Sequence, residues 1–216
     1  MKTPQKSQHV VWRNAGILLL MAGLIVFALK PWGAWQATNP NYYGWNLFSF
    51  FTTQSNIVAA FIYVIAATAI LRRKELGGWF RYVRGAGVLY MLITGIVYTL
   101  LLAKYEQGSP NTWQNVILHQ FGPLFIVAWW LLWPSKKPIS PKGALWLLAF
   151  PVAWIVYTLV RAQFVHWYPY PFLDPAHVGS HGVVWLYIAG IAITFIGASQ
   201  VVAWASRVRA SNRSLY

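Results

Sequence analysis

Six stretches of this chain are apolar for long enough to cross a bilayer. They run over approximately 11–31, 46–71, 82–103, 112–134, 143–163 and 182–206. A span needs about 20 mostly apolar residues. Inside hydrocarbon it must satisfy its backbone hydrogen bonds within itself, so each stretch is expected to be a helix. Together they account for most of the 216 residues. No room is left for a soluble domain. The expectation is therefore all-α: one six-helix transmembrane domain over 1–216. No small-residue cleavage site follows the first stretch, which reads as a retained helix and not a signal peptide.

A formal net charge of +14 would suggest nucleic acid as the partner of a soluble protein. Its distribution along this chain argues for a membrane and against nucleic acid. Lys2, Lys6 and Arg13 lie near the N-terminus. Arg72, Arg73, Lys74, Arg81 and Arg84 lie around the second loop, and Lys136, Lys137 and Lys142 around the fourth. Arg207, Arg209 and Arg213 close the chain. The other side holds only Lys30, Lys104 and Arg161. Positive charge collects on the cytoplasmic side of membrane proteins. Both termini are thus expected inside the cell membrane, which requires an even number of crossings. The charge count agrees with six.

Absence of cysteine removes disulfides, thiolate catalysis and cysteine-ligated metals from consideration. Acidic residues are almost as scarce. Glu75 is expected in the cytoplasm, and Glu106 and Asp174 outside. None falls within a span, which argues against a proton pump built on a midplane carboxylate relay.

The second span contains an unbroken polar run, Thr52, Thr53, Gln54, Ser55 and Asn56. Polar groups in hydrocarbon are costly unless they find partners, so the run is a candidate site. If helix 2 enters the membrane near Asn46, Thr52 lies roughly 9 Å below the helix start at about 1.5 Å per residue. If helix 4 enters from the same side near Thr112, His119 lies roughly 10 Å down. The two are expected at one level in the outer half of the membrane. Ser49, Thr52, Thr53 and Asn56 follow the i, i+3, i+4, i+7 spacing of one helical face. Asn115 and His119 are one turn apart, and Pro123 one turn further frees a carbonyl near His119 and kinks the helix. Ser49, Thr53 and Ser55 read as groups that hold helices together.

A hydroxyl beside an imidazole is the minimum for nucleophilic acyl transfer. The imidazole takes the proton as the oxygen attacks. Amide donors stabilise the oxyanion. Thr52, His119, Asn56, Gln54 and Asn115 supply these parts, with Asp174 as a carboxylate that could support His119. Arg161, at the outer end of helix 5, reads either as a holder of a substrate headgroup or as an interface cation. No cofactor is expected. A weaker alternative uses Asp174, His177 and His181 as metal ligands, although Pro175 and Gly179 argue against one regular helix through all three.

At these residues the chain resembles the androgen-induced-gene type of six-helix membrane proteins and their bacterial relatives. Three stretches carry the likeness: WNLFSFFTTQSN from Trp45 to Asn56, NVILH from Asn115 to His119 followed by Pro123, and YPFLD from Tyr170 to Asp174. The animal members are threonine hydrolases of fatty acid esters of hydroxy fatty acids. The resemblance implies Thr52 as nucleophile and His119 as base, acting on lipid esters. The chain departs from the pattern in offering Thr53 and Ser49 as further hydroxyls, and in a proline one residue earlier after the histidine. A non-catalytic binder or transporter of an amphipathic molecule is the rival class. No paired broken helices or internal repeats favour transport.

Overall fold

The computed structural model describes residues 4–37, 44–103, 113–135 and 137–213. Lys2, Lys104, Glu106 and Lys136 of the charge argument, and the entry point at Thr112, lie outside the described residues. The described residues form helices and turns, with no strand among them.

Six helices are long and apolar enough to cross a membrane. They are α1 (Pro4–Ala37), α2 (Phe51–Leu71), α3 (Phe80–Leu102), α4 (Trp113–Leu132), α5 (Pro141–Val165) and α6 (His181–Arg213). Large apolar side chains cover much of the outer surface: Trp146 and Phe164 are 79% and 80% exposed. In water so much apolar surface would be a liability, but against lipid it is the solvent-matched face.

Helix α3 occupies the centre, against α2, α4 and α6, while α1 lies along α2. Small residues let helix backbones approach in a membrane. A Cβ on Gly87 would fall 2.4 Å from Ile62 Cδ1 of α2, and one on Gly95 would fall 3.2 Å from the carbonyl oxygen of His119 on α4. Side chains bridge the space to α5. Trp154 Nε1 donates to the Ser49 carbonyl at 3.0 Å, the Tyr157 and Ser49 hydroxyls are 3.0 Å apart, and Phe51 packs on Phe150 and Trp154.

Two expectations need correction. Helix α2 begins at Phe51 and not near Asn46. Gly44–Ser49 forms a tighter 3-10 turn, and Phe50 is extended, with φ −72° and ψ 130°. Thr52 therefore stands in the first turn of the helix, and Ser49 shares no helical face with it. Second, Arg81 and Arg84 belong to α3 and not to a loop. Arg84 is buried, its guanidinium 4.8 Å from the ring centres of both Trp129 and Trp130 and bonded to the Trp133 carbonyl.

Candidate active site

A helical threonine can turn its hydroxyl onto its own backbone, and two here do. Thr99 bonds the Gly95 carbonyl and Thr194 the Gly190 carbonyl, each at 2.8 Å. Thr52 does otherwise. Its i−4 carbonyl belongs to Phe48, outside the helix, and accepts the Gln54 side-chain amide at 2.5 Å. The Thr52 hydroxyl is instead 3.3 Å from the phenol oxygen of Tyr170, and the Thr52 backbone N–H donates to that same oxygen at 3.1 Å. The loop after α5 thus folds back to satisfy one of the N–H groups that every helix start leaves open. Tyr170 is itself held by a stack on Phe172, with ring centres 5.2 Å apart and planes 8° apart, and by the edge of Phe50. Burial raises its pKa from the ordinary value, outweighing the Thr52 and Phe51 hydrogen bonds that act the other way.

Thr52 and Tyr170 line a cavity of about 170 Å³ among α2, α3, α5, α6 and the loop. Its other walls are largely apolar, including Phe51, Ile93, Phe172 and Phe195, with Thr94 as a third hydroxyl. Val97 and Ile191 line both this cavity and a groove along the outside of α3 and α6. There Leu100 and Leu186 are exposed, so the groove opens on the lipid-facing surface.

His119 is buried on α4 within a π-helical turn, Ile117–Phe121. Proline forces that turn. Pro123 has no N–H, and the backbone ladder slips by one residue so that the Gly122 N–H bonds the Ile117 carbonyl. Leu118 then loses its α-helical donor, and its π-helical donor would be the missing proton of Pro123. The Asn56 side-chain amide covers it, donating to the Leu118 carbonyl at 3.2 Å and to the Thr52 carbonyl at 2.9 Å. One amide nitrogen therefore ties the first turn of α2 to the His119 segment.

His119 Nδ1 lies 3.3 Å from the Asn115 carbonyl, which can only accept. This contact assigns a proton to Nδ1, and in a neutral imidazole that leaves the lone pair on Nε2. The imidazole stacks on Tyr98 at 4.0 Å between ring centres and 16° between planes. Tyr98 also opens a π-helical turn, Tyr98–Leu102. Among the described residues Thr52 and His119 share no hydrogen bond, and His119 is not among the cavity's lining residues.

The supporting residues fare unevenly. Both hydrogens of the Asn56 amide are committed to carbonyls, so Asn56 ties helices together and is not poised as an oxyanion donor. Gln54 is tied to Phe48. Asn115 is buried and serves His119 through its backbone. Asp174 is spent as a helix cap, accepting the Ala176 N–H at 2.9 Å, and makes no bond to His119. Arg161 donates to Asn46 Oδ1 at 2.5 Å and lies over Trp167. Ser55 bonds Thr94 at 2.8 Å, which joins α2 to α3 as a holding group should. Thr53 differs from its expected role, since its buried hydroxyl has no hydrogen-bond partner among the described residues.

The metal alternative finds no geometry. Pro175–Val178 is a single turn closed by Gly179 at φ +96°, and His181 starts the next helix. Among the described residues no three His, Asp or Glu side chains gather into a set that could hold a metal.

Sequence reasoning missed the roles of Tyr170 and Tyr98. Tyr170 stood in the YPFLD stretch, where no spacing linked it to Thr52. Tyr98 carried no signal at all. No protein-family model, curated protein or solved structure matches the chain.

Proposed function

We propose that this chain is an integral-membrane hydrolase of lipid esters, akin to the androgen-induced-gene type, in which Thr52 is the nucleophile and His119 the base. The observation that carries the reading is the Thr52 hydroxyl itself. It alone of the polar run lines the apolar cavity, and it is turned away from its own helix carbonyls. An ester whose acyl chain enters along the α3–α6 groove would bring its carbonyl to that hydroxyl. The Thr52 proton passes to His119 Nε2 through one water, or after the imidazole rotates off Tyr98. The Thr52 oxygen bonds the carbonyl carbon, the alkoxide leaves with the proton from His119, and water then attacks the acyl-threonine by the same route in reverse. Arg161, half-buried and bonded to a neutral amide, offers its remaining N–H groups to an anionic headgroup. The orientation that belongs to this reading is N-in and C-in in the cell membrane, with the site in the outer half.

The test is turnover of p-nitrophenyl esters of fatty acids by purified protein in lipid nanodiscs. Thr52→Ala and His119→Ala should each lower kcat by about 10³-fold or more. Turnover in Thr52→Ala equal to that of the unchanged protein would refute the reading.

One observation favours a second reading. The absence of a Thr52–His119 hydrogen bond suits a non-catalytic binder of an amphipathic molecule. Stabilisation by fatty acids or their esters, without any turnover, would select it.

A further inference from the structure

We propose that Tyr170 is the oxyanion donor of this site, its phenol donating a hydrogen bond to the carbonyl oxygen of an ester as Thr52 attacks it. The proposal rests on Thr52 being the nucleophile and supplies what the polar run does not. Both hydrogens of the Asn56 amide are committed to backbone carbonyls, and the Gln54 amide, bonded to the Phe48 carbonyl, does not line the cavity. An acyl-transfer site needs a donor aimed at the place where negative charge develops.

The phenol is placed for this. Its oxygen lies 3.3 Å from Thr52 Oγ1, and both residues line the cavity. The oxyanion of the tetrahedral intermediate sits two bonds from Thr52 Oγ1, within the same small space. The hydrogen is free to serve. A phenol oxygen accepts through two lone pairs and donates through one hydrogen. The backbone N–H of Thr52, at the start of α2, donates to the phenol oxygen and occupies its accepting side. The hydrogen then points away from the helix start, with Thr52 Oγ1 within its reach at 3.3 Å. Burial keeps the phenol protonated beyond its ordinary range, so it acts as a donor and not as a base.

The helix start also contributes. Its positive end lies on the Tyr170 oxygen. Electron density drawn toward the Thr52 N–H makes the phenol hydrogen a stronger donor. The ring is fixed by Phe172 and Phe50, so the donor is oriented before the substrate arrives. Through the reaction Tyr170 keeps its proton. The hydrogen bond shifts from Thr52 Oγ1 to the oxyanion and returns when the alkoxide leaves.

The experiment is Tyr170→Phe in the p-nitrophenyl ester assay, with Tyr157→Phe as the control. Tyr157 also carries a hydrogen-bonded phenol, 3.0 Å from the Ser49 hydroxyl, but lies outside the cavity lining. Tyr170→Phe should lower kcat by about 100-fold with KM changed by less than about threefold, the size expected for one oxyanion donor. Tyr157→Phe should keep at least about half of the original kcat, even if it lowers Tm as much. Tyr170→Phe with full kcat, or Tyr157→Phe with an equal loss, would overturn the proposal. Thr52→Ala, measured alongside, separates the two claims: a dead Thr52→Ala beside a fully active Tyr170→Phe sinks only the role of Tyr170.

Discussion

The side-chain amide of Asn56 stands 3.2 Å from the carbonyl oxygen of Leu118, where no backbone N–H can reach. Pro123 creates the vacancy, and Asn56 fills it from another helix. The π-helical turn around His119 is therefore a property of two helices together. It places His119 beside α2, the helix of Thr52, without any direct bond between the two residues.

That relationship predicts a coupling. Asn56→Ala leaves a buried carbonyl without its donor and should cost about 1–3 kcal/mol of stability. Pro123→Ala restores an N–H and lets α4 return to the α-helical ladder, where Gly122 serves Leu118. In the Pro123→Ala background the cost of Asn56→Ala should fall by at least about half. A double-mutant cycle on unfolding in detergent micelles measures it, and strictly additive losses would contradict the account.

Gly122 should tolerate no side chain. A Cβ there would fall 2.8 Å from the Ile117 carbonyl oxygen and 3.0 Å from Met91 Cε. The first is backbone and cannot swing aside. Gly122→Ala should destabilise by about 1–3 kcal/mol, as overpacking does. A variant as heat-resistant as the original would show that the π-helical turn is not held tightly.

Thr53 gives a prediction of the opposite sign. Its buried hydroxyl lacks a partner among the described residues, so Thr53→Val removes an unsatisfied polar group at nearly constant shape. Stability should stay level or rise by about 1 kcal/mol, and ester turnover should persist. Loss of turnover in Thr53→Val with an active Thr52→Val would move the nucleophile by one residue.

Much of this was open to a reader of the sequence, for physical reasons. Hydrophobic runs report spans directly, because bilayer thickness sets helix length. Counting down two helices set Thr52 level with His119, but the count began helix 2 at Asn46, five residues before its start at Phe51; the Asn56 amide is what brings the first turn of α2 beside the His119 segment. Where α2 begins was harder. The residues Gly44–Ser49 mix Trp, Leu and Phe with Gly, Asn and Ser, and six such residues do not tell a 3-10 turn from the first turns of an α-helix. The cover of Leu118 by Asn56 was hidden because Pro123 announces a freed carbonyl but not its donor. Tyr170 was hidden by distance, lying 118 residues from Thr52 with no periodicity to connect them.

Topology rests on the partition of basic residues, and it yields its own prediction. A cysteine placed after Tyr216, in a chain that has none, should be inaccessible to an impermeant maleimide in intact cells and react after permeabilisation. A cysteine at Ala176, exposed in the loop after α5, should react in intact cells. The reverse pattern would invert the protein and put the site in the inner leaflet.

The most direct measurement is the identity of the residue that an acyl-directed probe modifies. Purified protein in nanodiscs is incubated with a long-chain alkyl fluorophosphonate, digested, and sequenced by mass spectrometry. The account predicts one phosphonylated residue, Thr52, with labelling lost in Thr52→Ala and slowed in His119→Ala. Labelling of another hydroxyl, or none in a protein that still turns over ester, would contradict the assignment of Thr52 as the nucleophile.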